Sequence, residues 1–172
     1  MKKILLIAVV LAFGCTSEPP LNQETVNYND ETILVGEINW DGLNKEGHKE
    51  WFAPGYLDYQ VDAETLDYVG ENLNDVEVVM FLGTWCSDSQ QQVPQFYKIL
   101  DYVGYDINTM TVYALERKLE PRRLVSPGGE EAEYAIELVP TMVFYRDGAE
   151  IGRITEYPEK TLEKDLVEIV SQ

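Results

Sequence analysis

Val76 to Leu82 reads Val-Glu-Val-Val-Met-Phe-Leu, seven residues with a single polar interruption. A nearly continuous apolar run of strand length is the signature of a strand buried on both faces, so the rest of the chain has to supply layers above and below it. The flanking sequence does so. Asp62 is placed to cap a helix over Ala63 to Leu73, with Leu66, Val69 and Leu73 on one face. A second helix is expected from about Ser87 to Val103, then a strand at Met110 to Ala114. Met142 to Tyr145 and Glu150 to Ile154 form two further strands, and Asp147-Gly148 between them marks a hairpin turn. Thr161 caps a closing amphipathic helix that runs to Val170. Thr32 to Ile38 also has strand composition, and Glu116 to Glu130, rich in Arg, Pro and Gly, reads as a loop. Strands alternating with helices, closed by a hairpin and a helix, predict a mixed α/β sheet.

The chain ends and composition narrow the function. At 172 residues the chain suits one domain, and 31 acidic against 13 basic residues give a formal charge of −18. So acidic a surface repels phosphate backbones, which argues against nucleic acid as a partner. Lys2 and Lys3 precede an apolar run of ten residues, Ile4 to Phe13, too short to span a bilayer and of the length of a signal-peptide core. Ala12-Phe13-Gly14 then puts small residues before Cys15. The segment resembles a bacterial lipoprotein signal, with residues 1–14 removed, Cys15 lipidated, and residues 15–31 a flexible tether. Ordinary secretory cleavage at the same point is the alternative. Both readings place the mature chain outside the cytoplasm, and lipidation would hold it on the periplasmic side of the bacterial envelope. Residues 32–172 form the folded domain, of which 32–62 is an N-terminal extension.

Two cysteines cannot make a disulfide scaffold, and His48 is the only histidine, so metal, haem and Ser/His/Asp chemistries lack ligands or bases. No glycine-rich phosphate loop occurs and no cofactor is implied. His48 reads as a solvated loop residue, and Trp51, Phe52, Tyr56 and Tyr59 as core or an N-terminal flap. Arg117, Lys118, Arg122 and Arg123 cluster either as a solvated loop or as a ring around the active end of the sheet.

The chemistry sits in Gly83-Thr84-Trp85-Cys86-Ser87-Asp88-Ser89. A buried strand ends at Leu82, and a polar turn delivers Cys86 to the start of a helix, where unpaired N–H groups and the helix dipole favour a thiolate. Asp88 opposes that effect. Trp85 forms an apolar, partly exposed shoulder beside the thiol.

This arrangement resembles the thioredoxin-like superfamily. The hallmarks are a strand, Trp-Cys-x-x-(Cys/Ser), and a helix with a proline eight residues past the cysteine, here Pro94. Val139-Pro140-Thr141 before a strand is similar to that family's cis-proline loop, and Phe144 to Gly148 to its terminal hairpin. The likeness covers roughly Ala63 to Val170. It implies a central mixed sheet flanked by helices, with Cys86 as nucleophile and Ser89 assisting the thiolate. Trp85, Val139, Pro140 and Thr141 would line the substrate groove, and Asp88 would modulate the thiol. Protein or small-molecule thiols and disulfides would be the partners, with the membrane reached through Cys15. Two departures stand out. Ser89 replaces the resolving cysteine of dithiol members, and the strand Val78 to Leu82 has no buried acid. The site therefore reads as a monothiol or a retired dithiol, suited to disulfide interchange rather than net reduction. A non-catalytic module that binds an envelope protein is the competing reading. A peroxide-reacting Cys86 ranks last, since Gly83 stands where such sites carry threonine.

Overall fold

In a computed structural model that describes Pro20–Gln172, eight strands and six α-helices follow in the order β1(Gln23–Val26), β2(Thr32–Ile38), α1(Trp40–Leu43), α2(Lys49–Asp58), α3(Ala63–Asn72), β3(Val76–Leu82), α4(Ser87–Tyr102), β4(Thr111–Ala114), β5(Glu116–Leu119), β6(Arg122–Val125), α5(Glu130–Glu133), β7(Thr141–Arg146), β8(Ala149–Thr155) and α6(Leu162–Val170). Six strands form one sheet in the order β1-β2-β4-β3-β7-β8, while β5 and β6 form a separate hairpin. The apolar strand β3 lies inside the sheet, parallel to β4 and antiparallel to β7. Its neighbours satisfy its backbone on both sides, and its side chains alternate between two apolar layers.

Those layers differ. Val78, Met80 and Leu82 point into the larger core with Phe52, Phe96, Phe144 and Leu166, and all the longer helices lie on this side. Val79 and Phe81 point the other way, to Leu115, Ile136, Val139 and Val143, under the β5–β6 hairpin and α5. The expected mixed α/β sheet with flanking helices is the observed architecture.

Two segments depart from the sequence reading, and a third is core as read. The tether expected over 15–31 gives way at Gln23 to an edge strand, in register with β2 from Gln23↔Val35 to Val26↔Thr32. An edge strand is held by backbone ladder bonds and needs little apolar periodicity, which is why its sequence looked featureless. Asn22 fixes its start, donating to Asn39 Oδ1 at 2.7 Å and accepting the Asn39 N–H at 2.9 Å. Residues 1–14 and Cys15, with the rest of the tether to Pro19, lie outside the described residues. The loop expected over 116–130 contains the β5–β6 hairpin and runs into α5 at Glu130. The aromatic stretch forms α2, whose Gly55 admits the Pro94 ring of α4; a Cβ there would lie 2.6 Å from Pro94 Cγ. The aromatic stretch of the extension therefore packs into the larger core. Tyr59 anchors it further, donating to the buried Glu163 carboxylate of α6 at 2.8 Å. Burial, and then that carboxylate, raise the Tyr59 phenol well above its ordinary range.

Candidate active site around Cys86

Strand β3 ends at Leu82, and the turn that follows is fixed from three directions. Thr84 Oγ1 accepts the Leu34 N–H of β2 at 3.1 Å. Gln90 Nε2 donates to the Thr84 carbonyl at 2.8 Å. The Cys86 N–H closes the turn on the Gly83 carbonyl at 2.9 Å, leaving Cys86 as the N-cap residue of α4. Trp85 folds back over this turn: a Cβ on Gly83 would stand 2.7 Å from the indole Cε2, so only glycine leaves room. The indole N–H donates to the Leu115 carbonyl at 2.8 Å, and the Arg117 guanidinium lies over the ring at 4.1 Å from its centroid.

Cys86 is 7% exposed, less than a helix start next to a tryptophan suggested. Its Sγ donates to the Val139 carbonyl at 3.4 Å, so the loop before β7 meets the thiol directly. The Val139–Pro140 peptide bond is cis. Thr141 is buried and turns its hydroxyl to the Leu138 carbonyl at 2.8 Å, which braces the loop. Cys86, Trp85 and Val139 thus meet in one apolar cluster, and Pro140 and Thr141 follow Val139 in the chain.

Ser89 takes a different part. It is fully buried, and its Oγ accepts the Gly83 N–H at 3.1 Å. Among the described residues no hydrogen bond joins it to Cys86; its oxygen braces the turn that carries the thiol. The cause is local: one turn into α4, the side chain points back along the helix toward the strand end. Asp88 is half-buried, and its carboxylate accepts the Tyr157 hydroxyl, whose proton that bond, first of several causes, holds more firmly than usual. Nothing in the sequence near Cys86 signals Tyr157, which arrives from beyond β8.

Beside the thiol lies an open groove of about 310 Å³, walled by Trp85, Cys86, Asp88 and Arg117 on one side and by Asn27, Tyr28 and Glu31 on the other. The second wall is the β1–β2 turn. Asn27 holds it, accepting the N–H groups of Asn29 at 2.8 Å and Glu31 at 3.1 Å while donating to the Glu31 carboxylate at 2.7 Å. Sequence reasoning assigned this segment to the tether; the Asn-Asp pair at Asn29-Asp30 was its one turn signal. His48, read as solvated, is 3% exposed at the start of α2, and no group of three or more potential metal ligands converges among the described residues.

No protein-family model matches this chain, and no curated protein matches it in sequence. Solved structures do match in shape. A protein of unknown function from Pseudomonas aeruginosa aligns over 86% of this chain and 96% of its own, with a TM-score of 0.54 at 11% identity. An HIV epitope-scaffold aligns over 79% of this chain and 88% of its own, with a TM-score of 0.50 at 12% identity. Thioredoxins also match, that of Fasciola hepatica over 54% of this chain and 79% of its own at 22% identity, but with a TM-score of only 0.33. The fold rests on the chain's own topology, not on those low-scoring matches: strand order β2-β4-β3-β7-β8, a cysteine capping the helix after β3, and an X-Pro turn before β7 are the arrangement expected from the sequence. The fold is thioredoxin-like. That likeness speaks for architecture; the chemistry has to be argued from Cys86 and its neighbours.

Proposed function

We propose that this protein is a thiol–disulfide interchange protein acting through one cysteine, Cys86. The observation that carries this reading is the meeting of the helix-capping thiol with the Val139 carbonyl at 3.4 Å, at the mouth of a groove. A thiol in that position has the loop before β7 alongside it and an open groove in front, where a partner's chain can lie while its sulfur is attacked.

The steps balance without an outside oxidant. The Cys86 thiol gives up its proton to solvent in the groove, and the thiolate attacks one sulfur of a disulfide. A Cys86–substrate disulfide forms, the substrate's own sulfur–sulfur bond breaks, and the second sulfur leaves as a thiolate that is then protonated. A thiol from outside, or the freed one after rearrangement, attacks the substrate sulfur of the mixed disulfide and releases Cys86. The number of disulfides is unchanged, which is what a site with Ser89 in place of a second thiol supports. Ser89 keeps the turn in place through Gly83, Trp85 shields one flank, and the Asp88–Tyr157 pair borders the groove.

The proposal extends to placement. Signal cleavage after Gly14 and lipidation of Cys15 would leave the chain on the periplasmic side of a bacterial envelope, with a short link from lipid to the edge strand β1. Disulfides persist there, so an interchange protein would have substrates.

The test is turnover. With a disulfide-bonded peptide and a reporter thiol, the protein should raise the interchange rate above that in buffer, and Cys86→Ser should abolish the gain. The burial of Cys86 and the use of Ser89 as a brace favour one rival, a module that binds an envelope protein through the same groove. That rival predicts a Cys86→Ser variant which still captures its partner and a wild type with no turnover.

A further inference from the structure

A second groove, of about 270 Å³, adjoins the first and is lined by Arg117, Arg122, Arg123, Val139, Glu137 and Glu156. The two grooves share Arg117, and the Cys86–Val139 contact joins their walls. Arginine is scarce here: the chain has 13 basic residues against 31 acidic ones, and three of its five arginines line this one groove. Among the described residues, ion pairs occupy Arg146, Arg153, Lys45, Lys118 and Lys160, but none of the three groove arginines. Glu137 and Glu156 also line this groove, and Glu31 and Asp88 line the first, so the arginines are the cations of an otherwise acidic site.

The hairpin explains the placement. Arg117 pairs with Leu124 and Leu119 with Arg122, so by strand alternation these four side chains share one face, while Lys118 and Arg123 share the other. Leu124 packs against the small core that contains Cys86 and Val139, so the face it shares with Arg117 and Arg122 borders the grooves beside that core. Arg117 is held by the Trp85 ring, so its guanidinium sits in place before any ligand arrives.

We propose that Cys86 acts on disulfides carrying a carboxylate close to the reacting sulfur, and that Arg117 and Arg122 bind that carboxylate. The proposal rests on the interchange reading and gives it a substrate class. Guanidinium forks match carboxylates in geometry, and two arginines that form no internal ion pair among the described residues offer that match beside the thiol's groove. A carboxylate on a small disulfide and one on an acidic peptide present the same chemistry to the pair.

The experiment measures the reaction of Cys86 in the full chain carrying Cys15→Ser, with three aromatic or aliphatic disulfide probes. These are 5,5′-dithiobis(2-nitrobenzoate), which bears two carboxylates, neutral 4,4′-dithiodipyridine, and doubly cationic cystamine. Each rate is divided by that of a free cysteine peptide of neutral charge, which removes intrinsic probe reactivity. The corrected rate should be highest for the dianion, despite the net negative charge of the protein. Arg117→Gln with Arg122→Gln should lower the dianion-to-neutral ratio roughly tenfold, and added salt should lower it in the parent. Lys49→Gln, an exposed charge change on α2, should leave the ratio where it was. A ratio that does not move with the arginines, or a corrected preference for the neutral or cationic probe, overturns the inference while leaving interchange intact. Failure of Cys86 to react with any probe overturns the interchange reading itself. A short acidic disulfide peptide run against its amidated form then separates the sources: a preference confined to the small probe assigns the groove to small disulfides, and one shared by the peptide extends it to chain termini and acidic side chains.

Discussion

The two faces of the sheet are built for different ends. Among the described residues, the helical face gathers 25 buried side chains into one core, whereas the hairpin face gathers seven, and Cys86 is one of the seven. The thick side holds the fold. The thin side, covered by β5, β6 and the four-residue α5, leaves Trp85, Tyr113, Tyr134 and Tyr145 half-buried and both grooves open. The proposed chemistry lies where the covering layer is lightest, with the larger core behind it.

That contrast is open to direct attack. Phe96 lies fully buried on the helical face against Phe144, with ring centroids 6.1 Å apart. Phe96→Ala should cost about 3–5 kcal/mol in denaturant unfolding. Tyr113 stacks on Phe81 across the thin face at 5.3 Å, and Tyr113→Ala should cost only about 1 kcal/mol. Equal losses would mean that the two faces are equally structural. Gly83→Ala comes next: it drives the Trp85 ring away from the turn and should slow interchange about tenfold, with a small change in stability. Loss of folding instead would place Gly83 in the scaffold.

His48 gives a smaller, pH-dependent signal from the thick side. Burial holds its imidazole below the ordinary 6.5, with Glu24 and Glu50 pulling the other way, and its Nε2 has no partner. The unfolded chain therefore binds the proton first. Stability from this group is full above pH 6.5 and declines as the pH falls through the folded value. Thermal melts between pH 7 and 5 should show His48→Phe losing less stability than the parent. A parallel decline in both would remove His48 from the account.

What the sequence revealed and what it hid follow the same physics. The strand Val76 to Leu82, the Asp62 and Thr161 caps and the Asp147-Gly148 turn are local signals, and each lies where the pattern put it, while Cys86 sits at the helix start as its cap residue. Asp62 accepts the Thr65 N–H, and Thr161 the Lys164 N–H, both at 3.3 Å. The meeting of Cys86 with Val139 was legible through a family likeness spanning 53 positions, which no periodicity contains. The edge strand β1 was hidden because ladder bonds ask little of side chains. The hairpin β5–β6 was hidden because Arg117 and Arg122 share a face with Leu119 and Leu124, which masks the alternation. Tyr157 reaches Asp88 from 69 positions away, and the role of Ser89 depends on which way a buried hydroxyl turns.

The central claim is that this fold makes Cys86 a working thiol and does not merely bury it. The most direct measurement compares the rate at which Cys86 reacts with 4,4′-dithiodipyridine in the native chain and in the same chain unfolded in urea, with Cys15→Ser in both. Activation by the helix start and groove predicts a native rate at least about tenfold above the unfolded one. A native rate below the unfolded one would contradict the account and mark Cys86 as a buried relic.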